Sequence, residues 1–357
     1  QSLERQNPGI FNVLVMGPWL HGGWARSDGD WLGTAYFGGK TGVYYREHYE
    51  LPFFNHFLKD KGDISHIKEA NVFDTGANEW RDVPSWSPTV STDTPLYLMA
   101  NGKLVFGDGA PGRRPPTGGP QLSRTGGGAA GNLGSAYDEY VSDPMNPVPY
   151  TQKITLNYPR DFMTEDQRFA AGRPDVLVYQ TDPLAADITV AGSIKPELFI
   201  SSSGSDSDFV VKLIDVFPDD YQYPETGNRL PNGQPERMRP PQDSAGSVFQ
   251  PGGYEMLLRG EPFPARFRNS FEKPVPLTPN VPTKLSYVMP GIVHTFRKGH
   301  RIMVQVQSTW FPLVARNPQK YMANYKLGTD ADFQKATERV YHTVANPSRI
   351  VLPVLKR

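Results

Sequence analysis

Ten residues into the chain, the apolar run Phe11-Asn12-Val13-Leu14-Val15-Met16 stops at Gly17-Pro18 and leads into Trp19-Leu20-His21-Gly22-Gly23-Trp24. A nearly continuous apolar run of this length reads as a strand buried on both faces, the pattern of a parallel sheet. Pro18 cannot donate to a ladder, so the strand ends there. His21 falls on the loop just past the strand's carboxyl end, the edge where open α/β sheets place their chemistry. Such a strand needs neighbours on its edges and helices over its faces. Residues 1–9 are polar, with neither the basic nor the apolar region of a signal peptide, and supply no βα unit. The expectation is that the chain is the carboxyl-terminal part of a larger protein.

The 357 residues suffice for two domains and a large core. Thirty-seven basic residues balance thirty-seven acidic ones, which argues against a nucleic-acid partner. No apolar run approaches the length of a membrane span, so no membrane partner is expected. There is no cysteine, which excludes disulfides and thiolate metal sites. That absence fits a periplasmic or secreted protein and a cytoplasmic one alike, so the compartment stays open. The 34 glycines and 35 prolines signal many turns and an all-β architecture over most of the length.

Residues 22–41 form a Gly/Asp-rich loop carrying Trp24, Trp31, Tyr36 and Phe37. These aromatics either line a pocket beside His21 or anchor the loop to the core. Tyr45, Tyr49, Phe53 and Phe57 recur every fourth position and predict a helix over 43–61, kinked at Pro52 and stopped by Lys59, Lys61 and Gly62. His48, His56 and His66 lack metal-pair spacing and read as surface or packing residues. Asn71 to Gly76 begins another strand, and 96–106 reads as a hairpin turning at Asn101-Gly102. The Gly/Pro-rich stretch 107–134 reads as an exposed loop. Beyond residue 137, short strands at 176–179, 197–200, 209–216, 301–307 and 350–354 suggest a two-sheet sandwich, interrupted by a loop-like insertion at 217–253. The 301–307 strand alternates Ile302, Val304 and Val306 with Met303, Gln305 and Gln307, a half-buried pattern.

Gly17-Pro18-Trp19-Leu20-His21 resembles the histidine loop of the α-amino-acid ester hydrolases, often labelled glutaryl-7-aminocephalosporanic-acid acylases. These belong with cocaine esterase and the X-Pro dipeptidyl-peptidases among the α/β-hydrolases. Asn78 to Trp86, Asp166 to Phe169, Gly172 to Leu177, Ser203 to Val216, His294 to Arg301, Gln305 to Pro312 and Arg316 to Pro318 extend the resemblance in order along the chain. It implies an α/β-hydrolase C-terminal piece (the last strands and a helix of the sheet, residues 1–90) followed by an all-β jelly-roll sandwich domain (residues 91–357). It also implies a serine esterase or acylase related to dipeptidyl-peptidases, with His21 as the catalytic general base of a Ser-His-Asp triad.

The triad order in α/β-hydrolases is Ser, then Asp or Glu, then His. Ser2 and Glu4 are the only serine and acid before His21, and no Gly-x-Ser-x-Gly elbow occurs anywhere. Nucleophile and triad acid are therefore expected on the missing N-terminal part of the catalytic domain, which would be this chain's partner, and the chain alone is expected to be inactive. The substrate implied is a small-molecule ester or amide of the α-amino-acid ester or β-lactam acyl type, with no cofactor, no metal and room for a homo-oligomer. Ser203, Ser205, Ser207, Asp206 and Asp208 could be read as a nucleophile or Ca²⁺ site, but lack EF-hand spacing and read better as a polar strand entry. His294 and His300 flank a tight turn and read as structural hydrogen bonders, while Trp310, Phe311 and Leu313 suit a pocket wall or a domain interface. The rival reading is a non-catalytic β-sandwich that binds carbohydrate or protein, since jelly rolls often serve as lectin-like modules.

Overall fold

The computed structural model describes residues 2–86, 88, 90–107, 136–152, 155–159, 162–240 and 249–356. The expected exposed loop at 107–134 lies outside these residues except for Gly107. Among the described residues, no helix is long and apolar enough to cross a membrane.

The amino-terminal strand forms at Leu14–Met16 and runs parallel to Ala70–Asp74, pairing Leu14 with Ala70 and Met16 with Val72. Ala70–Asp74 pairs antiparallel with Glu79–Val83, completing a three-stranded sheet. The parallel pairing matches the sequence pattern, but the burial does not. Met16 is 44% exposed and Phe11 49%, because no strand among the described residues occupies the outer edge of Leu14–Met16.

One face of this sheet is covered by the predicted helix, which spans Thr41–Tyr45, a π-helical turn at Arg46–Glu50, and Leu51–Lys59. Pro52 has no N–H to give to the preceding turn, and its ring would crowd the carbonyl four residues back. The wider π turn accommodates that mismatch. Asp60, rather than Gly62, takes the left-handed cap position, at φ 51. Tyr45, Tyr49 and Phe53 pack from the helix against Val13, Val15 and Trp80 of the sheet. Its outer face stays open: Phe54, Phe57 and Leu58 are 50%, 49% and 74% exposed.

The rest of the chain is β. Where the sequence suggests two sheets, hydrogen bonding is continuous through twelve strands. Neighbours run Glu255–Pro264, Asp208–Val216, Arg301–Gln307, Leu177–Gln180, Lys103–Phe106, Ser91–Met99, Arg349–Leu355, Ile188–Ser202, Ala336–Tyr341 and Tyr137–Ser142. Thr283–Ser286 and Met289–Phe296 also pair with Ile188–Ser202. Continuity is possible because Ile188–Ser202 is fifteen residues long and shifts register between Gly192 and Ile194, the kind of bulge that lets one strand bend. The sheet wraps its main core, in which Phe209 and Phe263 from one end join Leu198 and Val340 from the other. The 96–106 hairpin forms, but its turn has three residues, with Met99 opposite Lys103 and both Asn101 and Gly102 at positive φ.

The Arg301–Gln307 strand departs from its half-buried pattern. Met303, Gln305 and Gln307 are fully buried, like Ile302, Val304 and Val306. Their face is covered by Tyr150 and Trp310, and polar partners make the burial tolerable. The Lys212 ammonium, pushed down to about 7 by burial, donates to Gln167 Oε1 at 2.9 Å. The insertion at 217–253 carries a small hairpin of Glu225–Arg229 and Pro235–Arg237; residues 241–248 lie outside the described residues.

Candidate active site

His21 is presented by a loop whose other side chains point inward. Pro18 is buried, and Leu20 packs with the cluster of Phe37, Phe73, Tyr254 and Met256. Trp19 lies against Tyr45, Trp80 and Trp24, with ring centroids 5.1, 6.0 and 6.4 Å away. Its indole Nε1–H donates to Thr41 Oγ1 at 2.8 Å, and the Thr41 hydroxyl donates in turn to the Gly29 carbonyl. Gly17 permits this fold-back, since a Cβ there would stand 2.4 Å from the Trp19 ring. Gly22 takes φ 75 and starts the short helix Gly23–Arg26. With its neighbours fixed inward, His21 is left exposed.

Among the described residues the ring against His21 is Trp24, edge to face at 6.0 Å. Trp24 is held by its backbone as well: Arg46 Nη1 donates to the carbonyls of Trp24 and Ser27. Among the described residues nothing hydrogen-bonds the His21 ring. The arrangement therefore offers an oriented imidazole with free nitrogens, at the carboxyl end of a parallel strand. The loop aromatics divide between the two roles considered for them. Trp24 stands at His21, whereas Phe37 is buried and Trp31 packs on Tyr36 and Tyr223, anchoring the loop.

The other sequence candidates lie apart from this loop. Asp206 is fully buried and pairs with Arg266, and it also accepts from Tyr325 Oη at 2.8 Å. Asp208 accepts from Asn317 Nδ2 at 2.8 Å. Glu338, 136 residues from Ser202 in the chain, accepts that hydroxyl at 2.9 Å. Burial pushes Asp208 up to about 7 and Glu338 up to about 8. This is an internal polar network, and no cluster of three His, Cys, Asp or Glu among the described residues could hold a metal ion. His48 and His56 bond backbone carbonyls of Tyr44 and Gly62, and His66 bonds that of His48. His294 and His300 converge on one carboxylate, Asp215.

Sequence reasoning missed the residue that joins the small sheet to the large one. Asp74 is fully buried and accepts from the Thr295 N–H at 2.8 Å, the Thr295 hydroxyl at 2.6 Å, Gly76 N at 3.1 Å, Ala77 N at 3.0 Å and Arg81 Nε at 2.8 Å. The hairpin tip approaches so closely that a Cβ on Gly76 would stand 1.9 Å from the Thr295 carbonyl oxygen. The signal was local: Asp74-Thr75-Gly76 is turn chemistry, with an aspartate side chain bonding amides two and three residues on.

These features define a large, mostly antiparallel β domain that carries a helix-covered sheet with one parallel pair at its amino-terminal end. The chain belongs to the family of X-Pro dipeptidyl-peptidase C-terminal non-catalytic domains, whose model matches residues 67–351. It is 29% identical over 349 residues to cocaine esterase from Rhodococcus sp. (strain MB1 Bresler), covering 96% of this chain and 51% of that protein. The structure of an aminopeptidase from the marine sediment archaeon Thaumarchaeota archaeon is similar, with a TM-score of 0.79 at 35% identity over 99% of this chain and 51% of that one. An α-amino acid ester hydrolase gives a TM-score of 0.76 at 36% identity over the same shares, 99% and 51%. The chain is thus a member of the cocaine esterase and X-Pro dipeptidyl-peptidase group, in which named relatives are ester hydrolases. It spans about half the length of the relatives it matches.

Proposed function

We propose that this chain is the carboxyl-terminal part of a serine hydrolase that cleaves small esters or amides through an acyl-enzyme, with His21 as its general base. The observation that carries the reading is the placement of His21. It is an exposed imidazole, rigidly framed, at the carboxyl end of a parallel strand whose outer edge has no partner among the described residues. Residues 1–90 would complete an α/β-hydrolase domain, and 91–357 would form the jelly-roll sandwich packed beside it. The open edge of Leu14–Met16 and the exposed Phe11, Phe54, Phe57 and Leu58 are the surfaces on which the remaining strands and helices would dock.

In the assembled site, a neutral His21 takes the proton of a serine hydroxyl as its oxygen attacks the substrate carbonyl. It then returns that proton to the leaving alcohol or amine. A carboxylate on the second ring nitrogen would fix the tautomer, and backbone N–H groups would hold the oxyanion. Serine, acid and oxyanion donors come from polypeptide outside these 357 residues. The chemistry calls for no cofactor or metal. The relatives' names, α-amino acid ester hydrolase and aminopeptidase, favour α-amino-acid esters and related amides as substrates; β-lactam acyl derivatives rest on the sequence resemblance alone.

The test is an aryl-ester assay on two samples, this chain alone and the intact reading frame that contains it. The intact enzyme turns over and the isolated chain does not. Turnover by the isolated chain contradicts the proposal.

A second reading is favoured by one finding. The matching family model describes a non-catalytic domain, so the β region could act as a carbohydrate- or protein-binding module. A glycan-binding screen separates the two: specific glycan capture without ester hydrolysis by the intact protein supports the module.

A further inference from the structure

The loop after His21, the tip of the Asp74–Glu79 hairpin turn and the large sheet together enclose a cavity of about 220 Å³. One wall is a hydrogen-bonded cluster. Asp215, 1% exposed, accepts from His300 Nδ1 at 2.9 Å and from His294 Nε2 at 3.1 Å. A carboxylate only accepts, so both nitrogens direct their protons toward it. His294 then has Nδ1 left, which in the neutral ring accepts the Thr75 hydroxyl at 2.8 Å. Both its nitrogens are used.

His300 differs. Its Nε2 has no partner among the described residues, although the residue is only 7% exposed and lines the cavity. In the neutral ring, with Nδ1–H given to Asp215, that nitrogen carries a lone pair. Phe217 lies against the imidazole at 4.6 Å, and Tyr221 meets it edge on at 6.4 Å. Tyr36, Phe37 and Tyr223 continue the lining.

The charges around the cluster point one way. Asp74, which also faces His294, is matched by Arg81. Arg297, on the lining, is matched by Asp187. Asp215 alone has no arginine or lysine partner among the described residues, only the two imidazoles. Aromatic faces attract cations, and an imidazole backed by a carboxylate is a strengthened acceptor. We propose that this cavity binds a small organic ammonium, which donates an N–H to His300 Nε2 and lays its apolar body against Phe217 and Tyr221. At interior packing density the space suits a guest of roughly eight to ten non-hydrogen atoms. The proposal does not depend on the role of His21.

Benzylammonium, benzyl alcohol and benzoate are matched probes for calorimetric titration and thermal shift on this chain at pH 8. Benzylammonium is expected to bind saturably, one per chain, and to raise the melting temperature, while the other two do not at the same concentrations. His300→Phe keeps the ring stack but removes the acceptor, and should weaken binding at least tenfold. Tyr221→Leu leaves Asp215 and both imidazoles intact, and should weaken it several-fold, so the test survives if the first variant fails to fold. Benzoate binding as well as benzylammonium would show that the imidazoles carry positive charge themselves, and would overturn the proposal. So would equal binding of benzyl alcohol, binding untouched by Tyr221→Leu, or no binding of any probe.

Discussion

The carboxylate of Asp74 accepts both the backbone N–H and the hydroxyl of Thr295, 221 residues away in the chain, at 2.8 and 2.6 Å. One buried side chain thus joins the sheet behind His21 to the large β-sheet. Asp74→Ala would leave several buried donors and the Arg81 guanidinium without an acceptor, and should cost about 3–5 kcal/mol. Chemical denaturation of the isolated chain measures this directly. Burial pushes the Asp74 carboxyl up, but donors from Thr295, Ala77 and Arg81 outweigh it and hold the group below its ordinary value. A depressed folded pKa adds stability above the unfolded value of about 3.9. That contribution is lost as pH falls through the folded value, so the variant should show less acid destabilisation than the parent chain.

Glu338 predicts the opposite slope. Burial pushes it up to about 8, against the hydrogen bond from Ser202. A carboxyl raised in the folded state stabilises fully below its unfolded value, about 4.3, and that stability is lost as pH rises toward 8. The parent chain should lose up to about 1.4 kcal/mol per pH unit from this group across that window. Glu338→Gln should flatten the dependence between pH 5 and 8, read from melting temperatures in a buffer series. An unchanged slope in the variant would assign the titration elsewhere.

Local patterns in the sequence were legible, and long-range pairings were not. Phe209, Val211 and Leu213 alternate along Asp208–Val216 and do face the core, because the alternation of side chains along a strand is written residue by residue. That the same strand lies between Glu255–Pro264 and Arg301–Gln307 is not written locally. Gln305 and Gln307 read as solvent-facing, yet they are buried, since their cover comes from Tyr150 and Trp310. At the site, the Gly-Pro-Trp-x-His stretch marked His21 because strand end, break and loop are adjacent in sequence. The convergence of His294 and His300 on Asp215, 79 and 85 residues away, depends on strand order.

Thr41 supplies a test of the loop frame. Its hydroxyl accepts from Trp19 Nε1 and donates to the Gly29 carbonyl. Thr41→Val keeps the shape and removes both bonds, so it should cost about 1–3 kcal/mol. Thr41→Ser should retain most of that stability in the same denaturation series.

The open helix face predicts a separation of folding from assembly. Phe57→Lys and Leu58→Lys alter residues 49% and 74% exposed in this chain. Leu58→Lys should change the chain's stability by no more than about 0.5 kcal/mol, whereas Phe57→Lys also removes ring contacts with Phe53 and Phe11 at 4.8 and 5.4 Å and should cost about 1 kcal/mol more. In the intact reading frame the same substitutions would bury a charge against the docking domain, and should lower soluble yield and ester hydrolysis. Equal destabilisation of the isolated chain would mean that the face is already covered.

The most direct test is the pre-steady-state burst of an aryl ester in the intact enzyme carrying His21→Ala. General-base catalysis by His21 predicts that the leaving-group burst is lost, with acylation slowed by at least about 10³-fold, while the melting temperature stays close to that of the parent, as expected for an exposed side chain. A normal burst amplitude and rate in this variant would show that His21 is not the base.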